Sequence, residues 1–268
     1  MKDTIRLWPA RAYRDTFAPR DPAPVENGLL PPGWHGLYFL PDLGLDALRP
    51  DGTPSSDGVV PDVGLPRRLF AGEEMTFHHP IRIGETLDLT VTLDKMAEKQ
   101  GRSGRLVFVT IAKTIGTAVT VRQHDVFLGP TGPAQPGPMQ GSPVWEESLD
   151  LGPIHLFRYS ALTYNSHLIH YSDPWAREVE KQPNLLVHGP LTSMLLLDFA
   201  LRHSPGRTPA TYTMRAVAPV YLGAPARLVG EPVQDGARLW VLDAADGVLV
   251  SAEVRFAADR ETGGGHVR

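Results

Sequence analysis

Residues 129–143, GPTGPAQPGPMQGSP, constrain the fold of this chain more than any other stretch. Nine of these fifteen residues are Gly or Pro, and none is Val, Ile, Leu or Phe. Such a segment has no core-facing stripe and few backbone donors to spare for a sheet, so it reads as a linker crossing between two folded parts. On this reading residues 1–128 form one half, and residues 144–268 form the other. The tail from Asp259, ending Gly-Gly-Gly-His-Val-Arg, reads as loose.

The two halves carry a faint likeness to each other. Pro80-Ile-Arg-Ile-Gly84 matches Pro219-Val-Tyr-Leu-Gly223, and Ser103-Gly-Arg-Leu-Val-Phe-Val109 resembles Gly236-Ala-Arg-Leu-Trp-Val-Leu242. Each is followed by an alternating run, Thr117–Leu128 and Gly247–Ala257. Leu87–Leu93, Leu106–Ile111 and Val248–Phe256 alternate with period two and are rich in Val, Thr and Ile, as half-buried strands are. Helical signal is scarcer. The best segment is Gly189–His203, GPLTSMLLLDFALRH, with Pro190 in its first turn and Arg202 and His203 at its negative end. A shorter helix is expected over Asp173–Lys181 with Asp173 as N-cap and Pro174 at N1, and Pro32–Leu40 reads as a degraded counterpart of the long helix. The expected class is α+β, a sheet wrapped round a helix in each half.

Composition narrows the function. Gly and Pro number 26 each in 268 residues, well above the ~12% of ordinary proteins, in keeping with many turns. There is no cysteine, which removes disulfides, thiolate catalysis and Cys-ligated metals. Lys and Arg total 26 against 30 Asp and Glu, for a formal net charge of −4. That balance argues against nucleic acid as a partner. No apolar run approaches the ~20 residues of a membrane span, and the start, MKDTIRLWPARAYRD, has no apolar signal-type core. A cytoplasmic location and no membrane partner are therefore expected.

Chemistry concentrates in Phe157–Leu197, FRYSALTYNSHLIHYSDPWAREVEKQPNLLVHGPLTSMLLL. Asn165, His167 and His170 follow what looks like a strand-like approach, in a loop of the kind that carries catalytic groups. The pattern YSALTYNSHLIHY, then DPWA, then LLVHGPLT, resembles the MaoC-like (R)-specific enoyl-thioester hydratases. Within them it is most similar to the type 2 thioester dehydratase and mesaconyl-C4-CoA (3-methylfumaryl-CoA) hydratase branch. LPPGWHGLYF at Leu30–Phe39, LPRRLFAG at Leu65–Gly72 and EKQGRSG at Glu98–Gly104 extend the likeness into the first half.

The resemblance implies a double hot-dog fold with a catalytic second half, and a hydro-lyase acting on the 2,3 double bond of a short or dicarboxylic enoyl-CoA. His170 matches the catalytic His. Asn165 stands where the family usually has Asp, and His167 and Leu168 depart from the motif's Asn and Pro. Hydration requires that water lose a proton while attacking Cβ, that charge on the thioester oxygen be stabilised, and that Cα gain a proton. His170 has the pKa class for the proton work, ~6.5 before burial. The Gly189 N–H, at a positive helix end, suits the oxyanion. Asn165 does not titrate and can only hold water or substrate by hydrogen bonds. Tyr164, His167, His188, Arg67, Arg68 and Arg158 are the candidate substrate-binding residues. His167 could equally orient the loop, His188 chiefly supports the helix start, and the arginines offer planar donors for a carboxylate or phosphate. No metal and no cofactor is expected, CoA being part of the substrate, and a homo-oligomer is left open. Two other readings stand: a hot-dog thioesterase, for which Asp198 lies about two turns into the helix, and a non-catalytic acyl-thioester-binding protein.

Overall fold

The period-two runs become strands of one antiparallel sheet, in a computed structural model that describes residues 1–56, 58–101, 104–129 and 134–258. The first half contributes β1 (Lys2–Thr4), α1 (Leu7–Phe17), β2 (Arg67–Phe77), β3 (Thr86–Gly101), β4 (Gly104–Ile115) and β5 (Val119–Leu128). The second contributes β6 (Trp145–Ser148), α2 (Pro153–Thr163), α3 (Gly189–His203), β7 (Pro209–Ala216), β8 (Ala226–Val233), β9 (Gly236–Asp243) and β10 (Val248–Phe256). The strand order is β1-β3-β4-β5-β2-β7-β10-β9-β8-β6. Read outward from the centre, both halves have the same order, so the faint internal likeness is a repeat of topology. Pro80–Gly84 and Pro219–Gly223 occupy equivalent turns before β3 and β8. Ile81, Ile83, Val220 and Leu222 are buried there, and Gly84 and Gly223 take positive φ. The architecture is the double hot-dog that the sequence leads one to expect.

The halves join where β2 pairs with β7, from Gly72 opposite Arg215 to Thr76 opposite Thr211. Gly72 takes φ +148° beside a β-bulge, and a Cβ there would lie 2.2 Å from the Met214 carbonyl oxygen. Only glycine lets the two strands approach so closely at this point. Of the Gly/Pro stretch 129–143, residues 130–133 lie outside the described residues, as do Ser103 and the tail from Asp259. The described remainder runs beside the second half, with Gly137 bridging Val248 and the Ser142 N–H donating to Glu231.

α3 has the boundaries expected of it. Every residue from Leu191 to Ala200 is buried, because the helix is apolar on all sides and is packed by β2 as well as β7–β10. Its first-half counterpart survives as a single 3₁₀ turn, Trp34–Leu37. Two helices were not foreseen. α1 is short, with one buried stripe of Pro9, Ala10 and Tyr13 among arginines. α2 replaces the strand-like approach expected before Asn165, its buried side chains recurring at Leu156, Tyr159, Ser160 and Leu162. The segment expected as a helix from Asp173 is a two-turn element containing a wide π-type turn, Trp175–Val179. Ser172 faces the Trp175 N–H (3.4 Å), while Asp173 pairs with Arg177 one turn on (2.8 Å). Among the described residues no helix is long and apolar enough to cross a membrane.

One buried carboxylate ties the helices together. Asp198 on α3 accepts from Trp34 Nε1 (2.8 Å) and from the Tyr13 hydroxyl (3.1 Å). Burial pushes its pKa up to about 7, against the pull of these two hydrogen bonds. The folded state therefore holds a proton that the unfolded chain releases near 3.8, so stability falls as pH rises from about 4 through 7. Asp198→Asn should flatten that part of the stability–pH curve in urea titrations. Asp198→Leu should cost roughly 2–6 kcal/mol near pH 4, the range for leaving two buried donors without an acceptor, and less as pH rises through 7.

Candidate active site

α2 ends at Tyr164, whose left-handed backbone (φ +53°) turns the chain, while the Asn165 N–H donates to the Ser160 carbonyl (2.8 Å). Asn165 Oδ1 then accepts from the His167 N–H (3.0 Å), an Asx turn that shapes the loop. One 3₁₀ turn, Leu168–His170, presents His170. The first half grips this loop from the other side. The Asp51 carbonyl accepts from the Leu168 N–H (2.8 Å), and the Gly52 carbonyl accepts from the Ser166 hydroxyl (2.6 Å). Gly52 is there because a Cβ would lie 1.9 Å from the Ser166 carbonyl oxygen, at φ +83°.

Three imidazoles meet behind the loop. The His170 ring stacks on His188 with centroids 3.7 Å apart, and His167 stands edge-on to it at 5.3 Å. His170 Nδ1 lies 2.9 Å from the Leu186 carbonyl oxygen. A carbonyl only accepts, so Nδ1 carries the hydrogen and Nε2 keeps a bare lone pair. Burial, then the neighbouring His167, push the His170 pKa down to about 3. His188 is fully buried with Nε2 2.8 Å from the Ser160 hydroxyl, and burial followed by the other two histidines holds its pKa well below the usual range. Both rings are neutral at ordinary pH.

Directly after His188, α3 begins at Gly189. Among the described residues the Gly189 N–H meets no acceptor, and Pro190 has none to offer. A Cβ on Gly189 would lie 2.4 Å from Phe70 Cδ1, so the glycine allows the β2 ring to pack on the helix start. A bare imidazole nitrogen thus belongs to a ring that stacks on His188, and among the described residues the N–H of the next residue, Gly189, is unengaged at a positive helix end.

Residues 33–222 match the model of the hydroxyacyl-thioester dehydratase type 2 family. A mesaconyl-C(4)-CoA hydratase of Chloroflexus aurantiacus is 38% identical over 243 residues, covering 88% of this chain and 86% of that protein. The chain belongs to the hydroxyacyl-thioester dehydratase type 2 family. The fold is shared with the Mycobacterium tuberculosis protein HtdX, with a TM-score of 0.66 at 18% identity over 95% of this chain and 97% of that one. A second M. tuberculosis protein, described as having a double hot-dog fold, gives a TM-score of 0.59 at 16% identity over 96% and 93%.

Not every candidate of this dehydratase-family chain comes to the histidines. Arg67 is buried against Glu180 (2.5 Å), close enough to the loop to act on the His167 charge. Arg68 holds Asp125 (2.6 Å) and lies over the Phe127 ring. Arg158 is on the outer face of α2, where it reaches Thr16 on α1 (3.2 Å), and is not brought to the cluster. Tyr164 is 62% exposed. Asp51, His167 and Glu180 bring one ligand-type atom each within 4.8 Å of one another. The Arg67 guanidinium against Glu180 supplies the positive charge a cation would bring, and we read the group as an ion-pair network.

The family member also carries polar groups that the sequence reading passed over. Glu73 on β2, Lys113 on β4, and Gln123 and Asp125 on β5 share the concave face with α3. Lys113 donates to Gln123 (2.6 Å), Gln123 to Asp125 (3.0 Å), and Glu73 meets Ser193 on α3, one turn beyond Gly189. Burial raises the Glu73 pKa. Their signal was available: they sit at inward positions of alternating strands, where Val109, Ile111, Val121 and Phe127 show that an apolar residue fits.

Two outcomes follow from this geometry. With His170 neutral far below its ordinary 6.5, kcat/KM should stay level on acidification from pH 7 to about 5 in a buffer series, without the limb near 6.5 that an exposed histidine would give. Gly189→Ala should lower kcat by driving Phe70 against the helix start, and adding Phe70→Leu should restore part of it.

Proposed function

We propose that this protein is a hydro-lyase that adds water to, or removes it to form, the 2,3 double bond of a short dicarboxylic enoyl-CoA thioester. The observation that carries the reading is the bare Nε2 of His170, whose ring stacks on His188, together with the N–H of the next residue, Gly189, unengaged among the described residues, in a chain of this family. His170 Nε2 takes a proton from water as its oxygen bonds to Cβ. The electrons of the double bond move through Cα to the thioester oxygen, and the Gly189 N–H at the positive end of α3 stabilises that charge. His170 then returns the proton to Cα on the same face. Asn165 contributes its amide N–H groups to hold water or substrate, its oxygen being engaged in the Asx turn. The scheme uses no cofactor, CoA being part of the substrate.

The acyl class is supported by two facts. The 38% identical relative is named for mesaconyl-C(4)-CoA, and the concave strip Glu73–Gln123–Asp125–Lys113 suits a polar acyl group better than a long apolar chain. The thioesterase reading loses its base. Asp198 is buried, raised toward neutrality, and committed to Trp34 and Tyr13 on the far side from Gly189's first turn.

Loss of enoyl-thioester absorbance near 260 nm tests the reading, with thiol release followed in parallel. Mesaconyl-C4-CoA should be hydrated faster than dodecenoyl-CoA, with no thiol released. His170→Ala should lose several orders of magnitude, since one group moves both protons, and Asn165→Ala on the order of 10²-fold. Thiol release without hydration, or a His170→Ala enzyme within tenfold of wild type, would reject it.

A further inference from the structure

The loop that carries the histidines, Tyr164-Asn-Ser-His-Leu-Ile-His170, has no carboxylate of its own. One is delivered from the first half. Asp51 Oδ2 lies 3.9 Å from His167 Nε2, and both side chains are largely buried. That Nε2 has no hydrogen-bond partner among the described residues. The carboxylate cannot drift, because its other oxygen accepts from the Thr53 N–H (2.8 Å) and the Thr53 hydroxyl (2.6 Å). The Asp51 backbone is fixed as well, through its carbonyl on the Leu168 N–H and through Gly52, where no side chain fits. This is more restraint than holding a loop requires, and it leaves Oδ2 facing the imidazole.

We infer that Asp51 is a positioning residue of the reaction proposed above, acting through His167 to stabilise the positive charge that forms on the histidine cluster when His170 takes its proton. The inference rests on that reading of the function. At 3.9 Å Asp51 Oδ2 acts on His167 by charge and not by a hydrogen bond, and its negative charge faces the cluster across that ring. The other charged and titratable groups around His167 are Glu180 from the π-type turn, Arg67 from β2, His170 on the same loop and His188 before α3. Glu180 acts in the same direction as Asp51. Arg67 and burial act against it. Since Glu180 is held by Arg67, Asp51 is the carboxylate whose charge is left to His167.

Asp51→Asn tests this with little change of shape, because the Asn carbonyl oxygen can still accept from Thr53. The expected result is a fall in kcat of about 10- to 100-fold, part of the ~10²–10⁴ that acid–base catalysis contributes, with KM for mesaconyl-C4-CoA and the melting temperature nearly unchanged. In wild type and variant labelled with ¹⁵N-histidine, the His167 resonances should titrate at lower pH in Asp51→Asn. Because the two residues act as a unit, Asp51→Asn/His167→Gln should be no slower than His167→Gln. If Asp51→Asn does not fold, His167→Gln alone must show the same kcat-selective loss. A kcat within threefold of wild type in the folded variant, an unmoved His167 titration, or multiplying losses in the double variant would overturn the inference. A wild-type enzyme that hydrates no enoyl-CoA would instead overturn the functional reading, while the ¹⁵N titration would still report whether Asp51 and His167 are coupled.

Discussion

Everything at the site depends on holding the half-buried start of α3 at the junction of two halves. A helix end carries unsatisfied N–H groups, and burying it away from water is unfavourable unless something anionic or polar is to meet them. Among the described residues the Gly189 N–H has no acceptor there. The protein meets the strain of that choice by wrapping α3 with strands from both halves and by leaving no side chain on Gly189. The seam between β2 and β7 makes this possible, since it turns two sheets into one surface on which α3 can lie.

The first half has lost its own long helix and keeps only the turn Trp34–Leu37. That loss opens the concave face of β4 and β5, where Val107, Val109, Ile111 and Phe127 pack instead under Val60 and Val63 from the loop before β2. The polar strip occupies the ground between this small cluster and α3. The first half thus serves the site in two ways: it supplies a concave face with polar groups, and it sends Asp51 and Gly52 across to fix the loop of the second half.

How much of this was legible in the sequence follows from the range of the interactions involved. α3 could be read to the residue, because Pro190 marks its first turn and its apolar residues cover all faces. The repeat could be read because the Pro-x-x-x-Gly turns are local. α2 was hidden, since Phe-Arg-Tyr-Ser-Ala-Leu-Thr is short and mixes β-favouring aromatics with its one buried stripe. The grip of Gly52 on Ser166 joins residues 114 apart, and no periodicity or spacing reports such a contact. His170, Asn165 and Gly189 were singled out through the motif they form, and the structure sets the first two in one loop and the third at the start of α3. The parity of Lys113, Gln123 and Asp125 was present in the strands and needed only a known inward face to be noticed.

The stacked rings of His170 and His188 carry a consequence of their own. With centroids 3.7 Å apart in a buried setting, the two imidazoles cannot both be cationic, since like charges at that distance repel too strongly to coexist without water. The pair is in effect a store of capacity one. A second proton is refused until the first has gone, so water that reaches the site between turnovers cannot load it further. In the mechanism proposed above, the proton that His170 takes from water then has one favourable exit, onto the carbon that the same cycle has just made basic.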